Sequence, residues 1–152
     1  MRPAGKIASL NVSRGGVPKR PVKGARIGTL GLEGDAQKHT RIHGGPDRAV
    51  CIYSAEGIAW LNAEGHAVVP GALGENVTTE GVDLAALAPG SRLRLGGAVV
   101  LEVASYASPC NQIAACFADR RVHPIEPKER SRLYARVIEG GEVKVGDEVV
   151  VL

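Results

Sequence analysis

The strongest constraint on this chain is its punctuation. Twenty glycines and nine prolines interrupt its 152 residues, so apolar runs stay short. Gly and Pro break helices and mark turns, and short apolar runs between them read as strands. "KIASLNVS" is a first strand in which Ile7, Leu10 and Val12 alternate imperfectly. "GGVPKRP" is a turn or loop, and "GARIGTLGLEGD" is a strand running into a Gly-rich bend. "DRAVCIYS", residues 47–54, is apolar and β-branched enough for a buried strand. A helix follows, capped by Ser54, with Ile58 and Leu61 on its apolar stripe and Gly65 as its stop. "VDLAALAPG" allows a single helical turn at most.

Two phrases look like hairpins. In "SRLRLGGAVVLEVASYA", Leu93 and Leu95 alternate with Arg92 and Arg94 ahead of a Gly-Gly turn and a long apolar strand. "LYARVIEGGEVKVGDEVVVL" repeats the idea as strand, Gly-Gly turn, strand, "GD" turn, strand. Many short strands without repeat periodicity predict a mainly β fold, a closed or nearly closed β-barrel with a few short peripheral helices. No linker divides the chain, so residues 1–152 read as one domain.

Composition narrows the function classes. Only five residues are Phe, Trp or Tyr, so the core rests on Val, Leu, Ile and Ala. No apolar run approaches the roughly 18 residues of a membrane helix, and the start reads as a strand and turn, not a secretory signal. Three cysteines, an odd number without framework spacing, suggest free thiols in a reducing cytoplasm. The net charge is +3, yet Met1 to Leu32 carry seven basic residues and no acid. Arg14, Lys19, Arg20, Lys23 and Arg26 form either a solvated face or a holder for a phosphate-bearing ligand. The patch is too small and too poor in aromatics to argue nucleic acid.

Two of the thiols sit in "SYASPCNQIAACF". Pro109 suits a first helical position and Ser108 a cap, so the spacing predicts a helix with Cys110 in its first turn. There the unpaired amides and the helix dipole favour a thiolate, the reactive and metal-binding form. Cys110, Ile113 and Phe117 would share a stripe facing the barrel. Six helical residues place Cys110 and Cys116 about 9 Å apart, too far for a disulfide. Cys51 and Cys116 read as small core residues. The residues alone leave Cys110 open between a functional thiol and another buried side chain.

Other loops carry chemistry at lower specificity. His39 and His43 stand four apart, but Thr40 replaces the Glu of a zinc-protease helix, and Gly-Gly-Pro opposes a helix. "HGGP" is either a loop that lets backbone approach a ligand or a tight turn before a strand. "GLEGD" and "GALGENV" are Gly-rich bends, each with a carboxylate, and either is compatible with plain turn chemistry. No Ser-His-Asp order, Walker loop or dinucleotide fingerprint is present.

Taken in order, "SLNVSRGGVPKRPV", "GLEGDAQKHTRIHGGPDRAVCIYS", "PGALGENVTTEGVDLAALAPGSRLRLGGAVVLEV", "SPC" and "ARVIEGGEVKVGDEVVVL" resemble the MOSC domain family. The family is named after the C-terminal part of molybdenum cofactor sulfurase. The resemblance covers nearly the whole chain and implies a β-rich barrel whose signature cysteine matches Cys110. In sulfurase relatives that cysteine carries sulfur delivered by a pyridoxal-phosphate-dependent cysteine desulfurase. In amidoxime-reducing relatives it ligates the molybdenum of a pterin cofactor. Bacterial relatives protect against N-hydroxylated purine analogues. The segment "RVHPIEPKERSRLY" departs from the family pattern.

The resemblance thus implies a molybdenum-cofactor protein that reduces small N-hydroxylated compounds. No flavin, iron–sulfur or haem motif is present, so electrons would come from a separate donor protein. The alternative is a sulfur carrier with a persulfide on Cys110, and a weaker one is a non-catalytic binding domain. Cys110 is the expected catalytic residue and metal ligand. Lys19, Arg20, His43, Gly44, Gly45, Asp47, Arg48, Glu75, Asn76 and Asn111 are the expected cofactor-binding residues, converging with Cys110 at one barrel mouth. The basic stretch suits the molybdopterin phosphate, and "HGG" and "GEN" suit the pterin edge. Purified protein need not retain the cofactor. Neither nucleic acid nor membrane is an expected partner.

Overall fold

The computed structural model describes residues 4–15, 17–36, 45–108, 113, 116–118 and 123–152. Its strands are β1 (Ala4–Val12), β2 (Arg20–Val22), β3 (Gly24–Gly28), β4 (Gly31–Leu32), β5 (Val50–Ser54), β6 (Val77–Glu80), β7 (Arg92–Leu95), β8 (Val99–Ala107), β9 (Arg132–Glu139), β10 (Gly141–Lys144) and β11 (Glu148–Val151). The helix α1 (Ala55–Ala63) follows β5 directly. Among the described residues no helix is long and apolar enough to cross a membrane.

Seven strands close into a barrel in the order β1-β11-β7-β8-β9-β5-β6, and β6 returns to β1. All neighbours are antiparallel except β5 and β6. That parallel pair needs a crossover, which α1 and the loop after it supply. β2 adds to β1 outside the ring. Period-two alternation decides which side chains face in: in β7, Leu93 and Leu95 are buried and Arg92 and Arg94 exposed. Ile7, Leu10, Ile52, Val77, Leu101 and Val149 join them in the barrel core. A bulge between Ile7 and Ser9 accounts for the imperfect alternation of the first strand.

The hairpin of β7 and β8 forms as its sequence predicts, but the tail departs from it. β9 pairs with β8 and β5, and β10 leaves the ring to pair with β3 in a three-stranded sheet with β4. A single residue, Gly140, joins β9 to β10, which is too short for a two-residue hairpin loop. The expected strand over 47–54 starts later, because Pro46–Arg48 forms a 3-10 turn. Ser54 caps α1 by accepting the Gly57 N–H at 2.9 Å.

A second apolar cluster lies under α1. It joins Tyr53, Ile58 and Leu61 to Val68, Leu73, Ile113, Phe117 and Ile125. The helix expected from Pro109 onward falls mostly outside the described residues. Within it, Ile113 and Cys116 have the tighter 3-10 conformation, not the α conformation expected, while Ile113 and Phe117 are buried as the stripe requires.

Candidate functional site

At the barrel end where β1 and β8 finish and β6 and β9 begin, the wall is polar on the face opposite the core residues Leu10, Val77 and Leu133. Asn11, Lys19, Glu75, Asn76, Thr78 and Arg132 are all buried there. A polar group taken from water must find partners or cost stability, so the hydrogen-bond inventory is informative.

Two connected sets account for most of these groups. In the first, the Lys19 ammonium meets Asp35 Oδ1 at 2.7 Å, with both side chains only 4% exposed. The Ser13 N–H donates to the same oxygen, and Asn76 Nδ2 donates to Asp35 Oδ2 at 2.8 Å. Asn76 Oδ1 accepts from the Cys51 N–H, so the amide side chain ties the carboxylate to β5. In the second set, Asn11 Nδ2 donates to the Glu75 carbonyl and to Thr78 Oγ1, and Thr78 donates to Glu75 Oε2 at 3.0 Å. The Ser9 hydroxyl holds Asn11 Oδ1. The backbone fixes both sets: the Lys19 N–H donates to the Gly71 carbonyl, and a Cβ on Gly71 would lie 2.2 Å from the Lys19 carbonyl oxygen. Only glycine permits that approach.

Arg132 links this end to the segment that carries Cys110. Its Nη1 donates to the Leu73 carbonyl at 2.7 Å and its Nη2 to the Ser108 carbonyl at 3.2 Å. In this network two of the three buried side-chain atoms that lack a partner at hydrogen-bond geometry among the described residues are found, Arg132 Nε and Glu75 Oε1. Burial raises the Glu75 pKa, and the Gly71 and Glu75 amides, Thr78 and Arg132 offset this in part. Burial also pushes the Cys51 thiol up to about 11. Cys51 is 5% exposed and packs with Ala107 and Tyr134, as expected of a core residue. Cys116 is half-buried against the second cluster, with its Sγ 3.8 Å from the Ala72 carbonyl oxygen.

The expected site residues divide into three groups. Lys19, Glu75 and Asn76 lie in the buried network. Asp47 and Arg48, in the 3-10 turn after Gly45, lie against the face of β9 that also carries Arg132, Tyr134 and Arg136, and make no hydrogen bond to the network among the described residues. Asp47 pairs with Arg136 at 3.0 Å, Arg136 also reaches Glu102, and Arg48 lies 5.6 Å over the Tyr134 ring. Arg20 is exposed on β2. His43, Gly44, Cys110 and Asn111 lie outside the described residues. Lys19 is already neutralised by Asp35, and the exposed cations of the basic stretch are Arg14, Arg20, Lys23 and Arg26.

Sequence reasoning missed Asn11 and Arg132, and it left Asp35 as turn chemistry. Each carried a signal. Asn11 is a polar residue in an apolar strand, Arg132 opens the apolar "RLYARVI", and Asp35 ends the first acidic bend after the acid-free basic stretch.

The MOSC domain family model matches residues 39–150, which include the Ser108 and Arg132 pair and everything from β5 to β11 except Val151. The chain belongs to the MOSC domain family. β1 precedes the matched span, yet it closes the barrel. YflK, an uncharacterized protein of Bacillus subtilis, is 34% identical over 140 residues, covering 90% of this chain and 63% of its own length. YiiM of Escherichia coli is 38% identical over 88 residues, covering 55% of this chain and 39% of its own length. This MOSC chain therefore spans less than two thirds of either relative's length. The crystal structure of YiiM from Geobacillus stearothermophilus superposes with a TM-score of 0.69 at 25% identity, covering 97% of this chain and 75% of that one. The structure of E. coli YiiM gives 0.71 at 25% identity, covering 100% and 70%.

Proposed function

We propose that this MOSC protein binds a molybdenum cofactor and reduces small N-hydroxylated compounds with electrons from a separate donor protein. The observation that carries the reading is the buried polar end itself. It holds an arginine tied to the carbonyl two residues before Cys110, and two buried polar atoms without partners. Such a place suits a ligand rich in donors and acceptors.

The residues fit the pterin group in kind. The soft Cys110 thiolate would hold the metal. Glu75 and Arg132 offer an acceptor and a donor to a pterin edge, and exposed Arg20 and its neighbours offer charge to a phosphate. When bound, the cofactor supplies the electron-transfer chemistry that protein side chains lack. The chain's part is positioning. Arg132 fixes the approach to Cys110 through Ser108, and the Lys19–Asp35–Asn76 set clamps the loops before β2, after β4 and before β6. Glu75 keeps its proton to higher pH than an ordinary glutamic acid, so it can donate as well as accept.

The test compares freshly isolated wild type with Cys110→Ser. Molybdenum and pterin analysis, intact mass, and protection of cells from an N-hydroxylated purine are the readouts. Bound molybdenum that Cys110→Ser loses, together with protection, supports the reading. An added sulfur atom on Cys110 without molybdenum would instead make the protein a sulfur carrier served by a cysteine desulfurase. Retention of metal and protection in Cys110→Ser overturns both and leaves a binding domain.

A further inference from the structure

A cleft of about 390 Å³ opens where α1 begins, between that helix, the loop after β6 and the turn before β9. The volume lies in the range of small-molecule sites. Its walls include Tyr53, Gly57, Asp83, Glu129 and Arg130, none of them in the polar network described above.

The chemistry of these walls is unusual in what stays unpaired. Tyr53 is 3% exposed, and its hydroxyl has no hydrogen-bond partner among the described residues. A Cβ on Gly57 would lie 2.8 Å from the Tyr53 hydroxyl oxygen, so the hydroxyl sits against the cleft wall formed by the first turn of α1. Burial pushes the phenol up to about 12, which keeps it a donor at neutral pH. The Arg130 guanidinium carbon lies 3.8 Å from the centroid of the Trp60 ring, a cation–π contact that anchors the group and uses none of its N–H donors in an ion pair among the described residues. Among the described residues Arg130 has no ion pair, and neither Asp83 nor Glu129 has one. Glu56 is partly satisfied by the Gly81 N–H at 2.9 Å.

Charges of both signs therefore line one cleft without pairing to each other, beside an orphaned donor. A simple anion would suit Arg130 and Tyr53 but face the carboxylates. A simple cation would leave the guanidinium and hydroxyl unmatched. We propose that this cleft binds a small zwitterion of the amino-acid type, its carboxylate on Arg130 and the Tyr53 hydroxyl and its ammonium facing Asp83 and Glu129. A planar carboxylate matches the guanidinium fork. None of these four residues is among those given a role in the function proposed above.

Titration calorimetry of the full chain against the common L-amino acids tests this, using wild type, Tyr53→Phe and Arg130→Gln. At least one amino acid should bind with a Kd of roughly 1 mM or tighter, and each variant should weaken it by about tenfold or more. N-acetylation of that amino acid should weaken it likewise. Removing an unpartnered buried hydroxyl is neutral or stabilising, so Tyr53→Phe should keep or raise the Tm, which separates lost binding from lost folding. No binding at about 10 mM, unchanged affinity in either variant, or equal affinity for the N-acetylated form would overturn the proposal.

Discussion

The barrel interior and its polar end are built from the same strands under opposite rules. In the interior, Ile7, Leu93, Leu95 and Leu101 fill space through non-directional contacts. At the polar end, Lys19, Asp35, Asn76, Glu75 and Arg132 are held by specific partners, and a missing partner leaves a buried charge or dipole exposed to an apolar wall. The first region supplies stability and tolerates trimming. The second sacrifices some stability to hold polar groups in place, a pattern expected where proteins bind ligands.

The sharpest break of this contrast is Asp35→Ala. It strands the Lys19 ammonium, which should cost about 3–5 kcal/mol in urea unfolding. A cost below that of a core methyl deletion would mean that the polar end is wetter and more forgiving than its burial implies. Cys51 gives the next effect. Its pKa of about 11 against an ordinary 9.0 leaves on the order of a hundredfold less thiolate at pH 8. Iodoacetamide should therefore label Cys51 only after denaturation, as read by peptide mass spectrometry, and native labelling at an ordinary rate would contradict its burial. Ile52→Val trims the apolar interior by one methylene and should cost only about 0.5–1.5 kcal/mol.

The smallest effect is a change of slope. The folded state raises the Glu75 pKa, so it binds that proton more tightly than the unfolded chain does. The associated stability is complete below the ordinary value of 4.5 and is lost as pH rises through the folded pKa. Glu75→Gln cannot ionise, so its stability relative to wild type should improve from pH 5 to pH 8 in urea unfolding. A difference that stays flat across that range would place Glu75 in contact with solvent or with a compensating cation.

The same contrast explains what could be read from sequence. Apolar alternation and Gly-rich turns are local, and they located β1, β7, β8 and α1 and predicted a closed barrel. The polar end is assembled across long separations: Asn76 meets Asp35 from 41 residues away, and Arg132 meets Leu73 from 59. No local pattern marks such partners. Lys19 therefore read as a free cation for phosphate, although Asp35 neutralises it. Arg132 lay in the stretch where the family pattern fades. Asp47 and Arg48 share a loop with "HGG", yet a 3-10 turn directs them toward Arg136 and Tyr134. The departure of β10 was hidden for a related reason, because partner choice depends on β3, more than a hundred residues earlier in the chain.

The ring also sets a timetable for the molecule's birth. Ala4, Gly5 and Lys6 of β1 pair with Val150, Val149 and Glu148 of β11. β1 leaves the ribosome well before β11, so this part of its edge stays open until β11 emerges. Contacts this distant along the chain slow folding, and an unpaired edge invites pairing with other chains. β2, which takes the Leu10–Val12 end of that edge, and β6, which takes the opposite edge, both emerge sooner and can cover β1 in part meanwhile. β1 thus depends on these interim neighbours until β11 arrives.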